Sequence, residues 1–247
     1  MNDSREHKKP LVITIDGPSG SGKSTIAAQI AERLDLPCLN SGAIYRTVTL
    51  AVMEAGGCFD DSEEVRRIVE KMTLRTEEKD GRTCFYLDGR DVTTRIKDPD
   101  VTTEIWRVAN KPEYRKLLVS LQRQSVGERG LVAEGRDMGT VIFPDANAKV
   151  FLDAPLEVRA RRQHDELLAR GVDSSFEEVL EKSRIRDEHD TSRASAPLRA
   201  ASDALSVDSG GLTAEEVVNK VLAWIESRSW SDASDSSGGQ RSDELSS

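Results

Sequence analysis

The stretch Leu11-Val-Ile-Thr-Ile-Asp-Gly-Pro-Ser-Gly-Ser-Gly-Lys-Ser24 decides how the rest of the chain is read. Its first five residues are apolar or β-branched and predict a short buried strand. The segment from Gly17 to Ser24 matches the pattern GxxxxGK[ST] in full, and a helical pattern follows from Lys23 to about Leu34. Strand, glycine-rich loop and helix in that order make a phosphate cradle. The glycines let backbone N–H groups turn inward on an anion, and the helix start adds its unpaired donors and dipole. Lys23 is expected to reach the distal phosphates of a nucleotide, and Ser24 to offer its hydroxyl to a divalent cation.

Outward from that loop, strand and helix patterns alternate, which predicts an α/β fold with a largely parallel sheet flanked by helices. Residues 36–39 read as a second strand and residues 42–55 as a helix. A helix over 61–72 has Asp61 or Ser62 to cap it, and two β-compatible pieces then surround the Lys79-Asp-Gly81 turn. Residues 63–102 are expected to form a small inserted lobe within one domain spanning 11–228. Pro112 opens a helix expected to reach residue 129, with Gly130 as its stop. Residues 131–133, 148–152 and 205–207 read as strands, and 156–170 and 176–189 as charged helices. A final helix over 213–227 has Thr213 and Glu216 spaced as a capping box. Residues 1–10 form a polar extension, and residues 229–247 a Ser- and Asp-rich tail expected to be disordered.

The chain has 247 residues, enough for one sizeable core, and a formal net charge of -9. That balance argues against a general nucleic-acid binder, as does the lack of interleaved aromatic and basic residues. Three cysteines, with no CxxC pair, point to a reduced compartment rather than a disulfide framework. No apolar run is long enough to cross a membrane, and the N-terminal residues do not read as a signal peptide, so the cytoplasm is expected. A guanine-reading NKxD element is absent, which leaves a small-molecule kinase as the best use of the phosphate loop.

Arginines supply the second half of the reading. Ser41-Gly-Ala-Ile-Tyr-Arg46 follows the second strand, so Arg46 is placed to hold an acceptor phosphate with its planar fork, and Asn40 and Ser41 to meet its polar groups. Glu134-Gly-Arg-Asp-Met-Gly-Thr140 follows another strand. There Arg136 is a candidate for the acceptor phosphate, and Asp137 for orienting a hydroxyl or holding Arg136. Arg115 lies on the helix opened by Pro112. Arg186 and Asp190 share a helix face, and Arg186 with Arg193 is suited to neutralise charge on a transferring phosphoryl group, with Asp187 and Asp190 aiming them. Arg159, Arg161 and Arg162 read either as donor contacts or as a solvated face.

Taken together, Ile15 to Ser24, Asn40 to Arg46, Leu87-Asp-Gly-Arg-Asp-Val-Thr93, Gly135 to Asp145 and Ala194-Ser-Ala-Pro-Leu198 resemble the bacterial cytidylate kinases, over nearly all of the expected domain. The resemblance implies a P-loop nucleoside monophosphate kinase with an inserted nucleotide-binding lobe and a helical lid over about residues 156–193. It implies transfer from ATP with Mg²⁺ to CMP or dCMP. ATP would lie on Gly17, Pro18, Ser19, Gly20, Ser21, Gly22, Lys23, Ser24 and Thr25, with Mg²⁺ on Ser24. The acceptor would lie on Ser41, Arg46, Arg115, Arg136, Asp137, Asp190 and Arg193, and the catalytic cations would be Lys23, Arg136, Arg186 and Arg193. A monomer without nucleic-acid or membrane partners is expected. The chain departs from the family pattern at Asn40, where Asp is common, at Trp106, where a serine helps read the cytosine ring, and at Lys97, where an arginine is usual. A related kinase acting on UMP or another small metabolite is the alternative.

Overall fold

The computed structural model describes residues 10–79 and 82–235. The expected N-terminal extension, apart from Pro10, and the last twelve residues of the expected tail lie outside them. Five strands form a wholly parallel sheet in the order β2-β6-β1-β7-β8. These are β1 (Leu11–Asp16), β2 (Cys38–Asn40), β6 (Gly130–Gly135), β7 (Ala148–Asp153) and β8 (Leu205–Asp208). A separate antiparallel sheet joins β3 (Leu74–Lys79), β4 (Arg82–Leu87) and β5 (Arg90–Asp91). Eight α-helices accompany the strands among the described residues: α1 (Lys23–Leu34), α2 (Ser41–Glu54), α3 (Ser62–Lys71), α4 (Pro99–Ala109), α5 (Pro112–Gln124), α6 (Leu156–Ala169), α7 (Phe176–Ser192) and α8 (Ala214–Asp235).

Side-chain alternation splits the core across the parallel sheet, as the two-residue period of a strand requires. Leu131 and Ala133 of β6 enter one cluster with Ile44 and Val48 of α2 and Tyr114 and Leu118 of α5. Val132 between them enters the other, with Ile13 and Ile15 of β1, Ile26 and Ile30 of α1 and Val218 and Val221 of α8. The second sheet packs on a different face of α2: Ala43, Leu50 and Ala51 meet Phe85, Leu87, Val92, Ile96 and Val101. Helix α2 is therefore the shared wall between the main sheet and the smaller one, and Arg46 sits on it.

The small sheet shows how local chemistry sets topology. Asp88 and Gly89 both have positive φ, 51° and 80°, which fits the tight two-residue turn between β4 and β5. Strands β3 and β4 pair in register from Leu74 with Leu87 to Lys79 with Arg82. The turn residues 80–81 of that hairpin lie outside the described residues.

Two boundaries differ by more than three residues from the sequence expectation. Helix α5 ends at Gln124, and Gly130 does not stop it but opens β6. With φ of 104° and a Cβ that would fall 2.0 Å from the Leu11 carbonyl oxygen, position 130 must be glycine for β6 to lie against β1. Helix α8 continues to Asp235, past the Ser229 at which the polar tail was expected to begin. No proline or glycine interrupts the chain there, and the capping box at the far end is formed. Thr213 Oγ1 accepts from the Glu216 N–H at 3.2 Å and Glu216 Oε2 from the Thr213 N–H at 2.8 Å.

Candidate active site

All five parallel strands bring their carboxyl ends to one edge, and the sequence places its chemistry there. Strand β1 leads into the phosphate loop, β2 into α2 with Asn40, Ser41 and Arg46, and β6 into Arg136 and Asp137. The loop is shaped by close approach. A Cβ on Gly17 would fall 1.9 Å from the Leu152 carbonyl oxygen of β7, and one on Gly20 would fall 2.7 Å from that of Arg159. Gly17, Gly20 and Gly22 have φ of 153°, 78° and 94°. Lys23, 5 % exposed, folds back to donate to the Pro18 carbonyl at 2.6 Å, and Ser24 Oγ donates to Glu134 Oε1 at 2.7 Å.

Behind the loop, α6 and the turn after β8 close the wall. Arg159 donates to the Ser19 carbonyl at 3.2 Å and to Asp187 of α7 at 2.6 Å. Arg162 donates to the Ser209 carbonyl at 2.7 Å, and Ser209 Oγ to the Ser21 carbonyl at 2.9 Å. Arg161 turns the other way, onto the Phe176 ring at 3.9 Å. The three neighbouring arginines thus have three different tasks, and two of them touch the loop. Next to this wall lies a cavity of about 230 Å³, lined by Thr25, Ile26, Arg162, Leu212 and Val217 among others.

The acceptor candidates gather on the opposite side of the loop. Arg115 and Asp137 form an ion pair in which neither side chain is more than 5 % exposed, and Arg115 also donates to the Ala109 carbonyl at 3.2 Å. Arg136 Nε donates to Asp190 Oδ2 at 2.8 Å, and Arg193 lies 4.0 Å from the same carboxylate. Asp137 therefore holds Arg115 and not Arg136, and Asp187 aims Arg159 and not Arg186. The local spacing that suggested the expected pairs is outweighed by contacts between distant elements. Ser41 is buried close to Gly135, where a Cβ would meet the Ser41 Cβ at 3.2 Å. Asn40 caps α2, its side chain accepting from the Ala43 N–H at 2.7 Å. Trp106 is 53 % exposed on α4, and the Lys97 carbonyl accepts from Arg170 at 3.3 Å.

Electrostatics binds the two sides into one cluster. Burial lowers Lys23 from its ordinary value to about 7, and the charges of Arg136 and Arg186 push in the same direction. Burial likewise lowers Arg186 to about 10, with Arg136 and Arg46 repelling it. Burial also works against the charge on Asp190, yet Arg136 and Arg186 hold it below the usual carboxylate value. Arg46 Nε and one terminal nitrogen of Arg193 are buried without a hydrogen-bond partner. Such a surplus of enclosed positive charge is costly until an anion completes it.

Two acids in this region escape a motif-based reading. Glu134 meets Ser24, and Asp16 accepts from the Met138 and Gly139 N–H groups at 2.8 Å each. The available signal was their place, each an acidic residue at the carboxyl end of an apolar strand.

A glycine-rich phosphate loop at the end of a parallel sheet, facing a second cluster of cations, defines a P-loop phosphotransferase. The cytidylate kinase family model matches residues 13–227. The cytidylate kinase of Carboxydothermus hydrogenoformans is 45 % identical over 213 residues, covering 86 % of this chain and 96 % of that protein. That of Pasteurella multocida is 40 % identical over 216 residues, covering 87 % and 95 %. The chain belongs to the cytidylate kinase family. A crystal structure of an uncharacterized protein from Eubacterium ventriosum shares the fold at a TM-score of 0.50 and 14 % identity, covering 89 % of this chain and 99 % of that one. No described helix is long and apolar enough to cross a membrane.

Proposed function

We propose that this kinase transfers the γ-phosphoryl group of ATP to CMP or dCMP, giving ADP and CDP or dCDP. The observation that carries the reading is the shared field of Lys23, Arg46, Arg136 and Arg186, a cation cluster that a donor and an acceptor phosphate together would neutralise.

The acceptor nucleophile is a phosphate oxygen that is already anionic, so no strong general base is required. That oxygen forms a bond to the γ-phosphorus as the β–γ bridging bond breaks, and ADP leaves with the bridging oxygen. Catalysis then consists of alignment and charge neutralisation. Lys23 serves the β- and γ-phosphates, and Arg136, Arg186 and Arg193 take up charge on the transferring group. Ser41, Arg46, Arg115, Arg136, Asp137, Asp190 and Arg193 receive the acceptor nucleotide. The backbone from Gly17 to Thr25 cradles the donor, whose base takes the cavity beside Arg162. The Ser24–Glu134 oxygen pair fits a hard divalent cation such as Mg²⁺, which would supply further charge neutralisation on the donor phosphates. The remaining members of the cluster are this chain's own.

The test is diphosphate formation from ATP and Mg²⁺ with CMP, dCMP, UMP, dUMP and AMP side by side. A clear advantage for CMP and dCMP is expected. Preference for another acceptor would keep phosphoryl transfer but overturn the cytosine assignment, and would direct attention to Asn40, Lys97 and Trp106.

A further inference from the structure

The last residue of β1 carries a carboxylate that phosphoryl transfer itself does not call for. Asp16 is 4 % exposed, and its two oxygens are taken up by two backbone donors, Met138 N–H on one and Gly139 N–H on the other, each at 2.8 Å. Burying a carboxylate is unfavourable, and burial raises this one to about 6 in spite of those two bonds. A side chain kept at that cost, with both oxygens committed to backbone, has a geometric task.

The position of the two partners says which task. Asp16 directly precedes Gly17, the first residue of the phosphate loop. Met138 and Gly139 directly follow Arg136 and Asp137. One side chain therefore ties the root of the donor loop to the turn that carries the acceptor arginine. The same turn has two other ties, Asp137 to Arg115 of α5 and Arg136 to Asp190 of α7. Of the three, only the Asp16 tie runs to the donor loop's own strand. The turn is also pressed on that strand, since a Cβ on Gly139 would fall 2.8 Å from Thr14 Oγ1. The chemistry selects a carboxylate: two convergent N–H donors require two acceptor oxygens, whereas an amide offers one oxygen and turns an NH₂ on the other donor.

We propose that Asp16 is a positioning residue that sets the spacing between donor and acceptor phosphates, by clamping the turn at 136–139 to the root of the phosphate loop. The proposal rests on the acceptor role given to Arg136 and Asp137 above. In-line transfer is sensitive to this spacing, and a displacement of about 1 Å is worth on the order of 100-fold in rate.

Asp16→Asn in the full chain tests it, with ATP and CMP kinetics, ADP binding measured without acceptor, and a cycle with Arg136→Ala. The CMP KM is expected to rise about tenfold and kcat to fall, while ADP affinity stays within about twofold. The Asn effect should largely vanish when Arg136 is already Ala, because the turn then has no arginine left to place. Gly139→Ala displaces the same turn without touching the carboxylate. It should give the same split, and it decides the matter if Asp16→Asn does not fold. CMP kinetics unchanged in both variants would overturn the proposal. So would ADP and CMP weakening together and adding to the effect of Arg136→Ala, since that is what a merely structural carboxylate produces. If Arg136→Ala alone leaves CMP kinetics unchanged, the acceptor assignment itself fails and this proposal falls with it.

Discussion

Two regions of the cation cluster balance their charge differently. Arg115, Arg136 and Arg159 each hold a carboxylate of the protein: Asp137, Asp190 and Asp187 respectively. Lys23, Arg46 and Arg186 hold none among the described residues, and Lys23 has only the Pro18 carbonyl. The first region is charge-balanced by the protein itself, so its cations carry the architecture whatever further contact Arg115 and Arg136 make to the acceptor in the proposed reaction. The second lacks anions, which in the proposed reaction come from the nucleotides. Removing a cation should accordingly cost stability in the first region, and turnover without stability in the second.

The largest effect is expected from Lys23→Ala, which should lower kcat on the order of 1,000-fold. Its thermal midpoint should stay the same or rise, because a buried cation with no ion-pair partner is gone. Wild-type turnover in that variant would erase the distinction. Arg115→Ala should instead cost stability, leaving Asp137 enclosed without its partner and lowering unfolding free energy by about 3–5 kcal/mol. Urea unfolding measures this, and an unchanged midpoint would mean that Arg115 belongs with the ligand-completed cations instead.

The smallest effect is a pH dependence. Lys23 in the folded protein titrates at about 7, against an ordinary value of 10.5. Between those values the unfolded chain holds a proton that the folded chain has released, so the ligand-free protein should become more stable as pH rises. Over pH 7 to 9 the gain is about 2 kcal/mol. Saturating ADP should flatten the rise by restoring the charge on Lys23, and Lys23→Met should abolish it. A rise that persists in Lys23→Met would assign it to other groups.

The donor half of the site was legible in sequence because its chemistry is contiguous. Gly17 to Ser24 specifies loop, helix start and lysine within a few residues, and α1 runs over Lys23–Leu34 as its pattern predicted. The residues proposed for the acceptor could be singled out from sequence, but their partnerships with one another could not. Asp137 meets Arg115, and Asp190 meets Arg136, from elements far apart in the chain. Spacing along one helix cannot reveal such pairs, and it suggested Arg186 for Asp190 instead. Gly130 was ambiguous for another reason. The same freedom at positive φ ends helices and opens crowded strands, and only the nearness of Leu11 shows which use applies. Asp16 and Glu134 carried no motif signal beyond their strand-end positions.

The strand order has a consequence for how the molecule comes into being. Strand β1 lies in the middle of the sheet, between β6 and β7, so both neighbours follow it by more than a hundred residues. At roughly 5–20 residues per second, a ribosome makes the most interior strand of the sheet and then spends on the order of ten seconds before either flank exists. During that interval Ile13 and Ile15, which end fully enclosed, have no sheet to enter. The segment that will grip phosphate is thus made more than a hundred residues ahead of either strand that will enclose it.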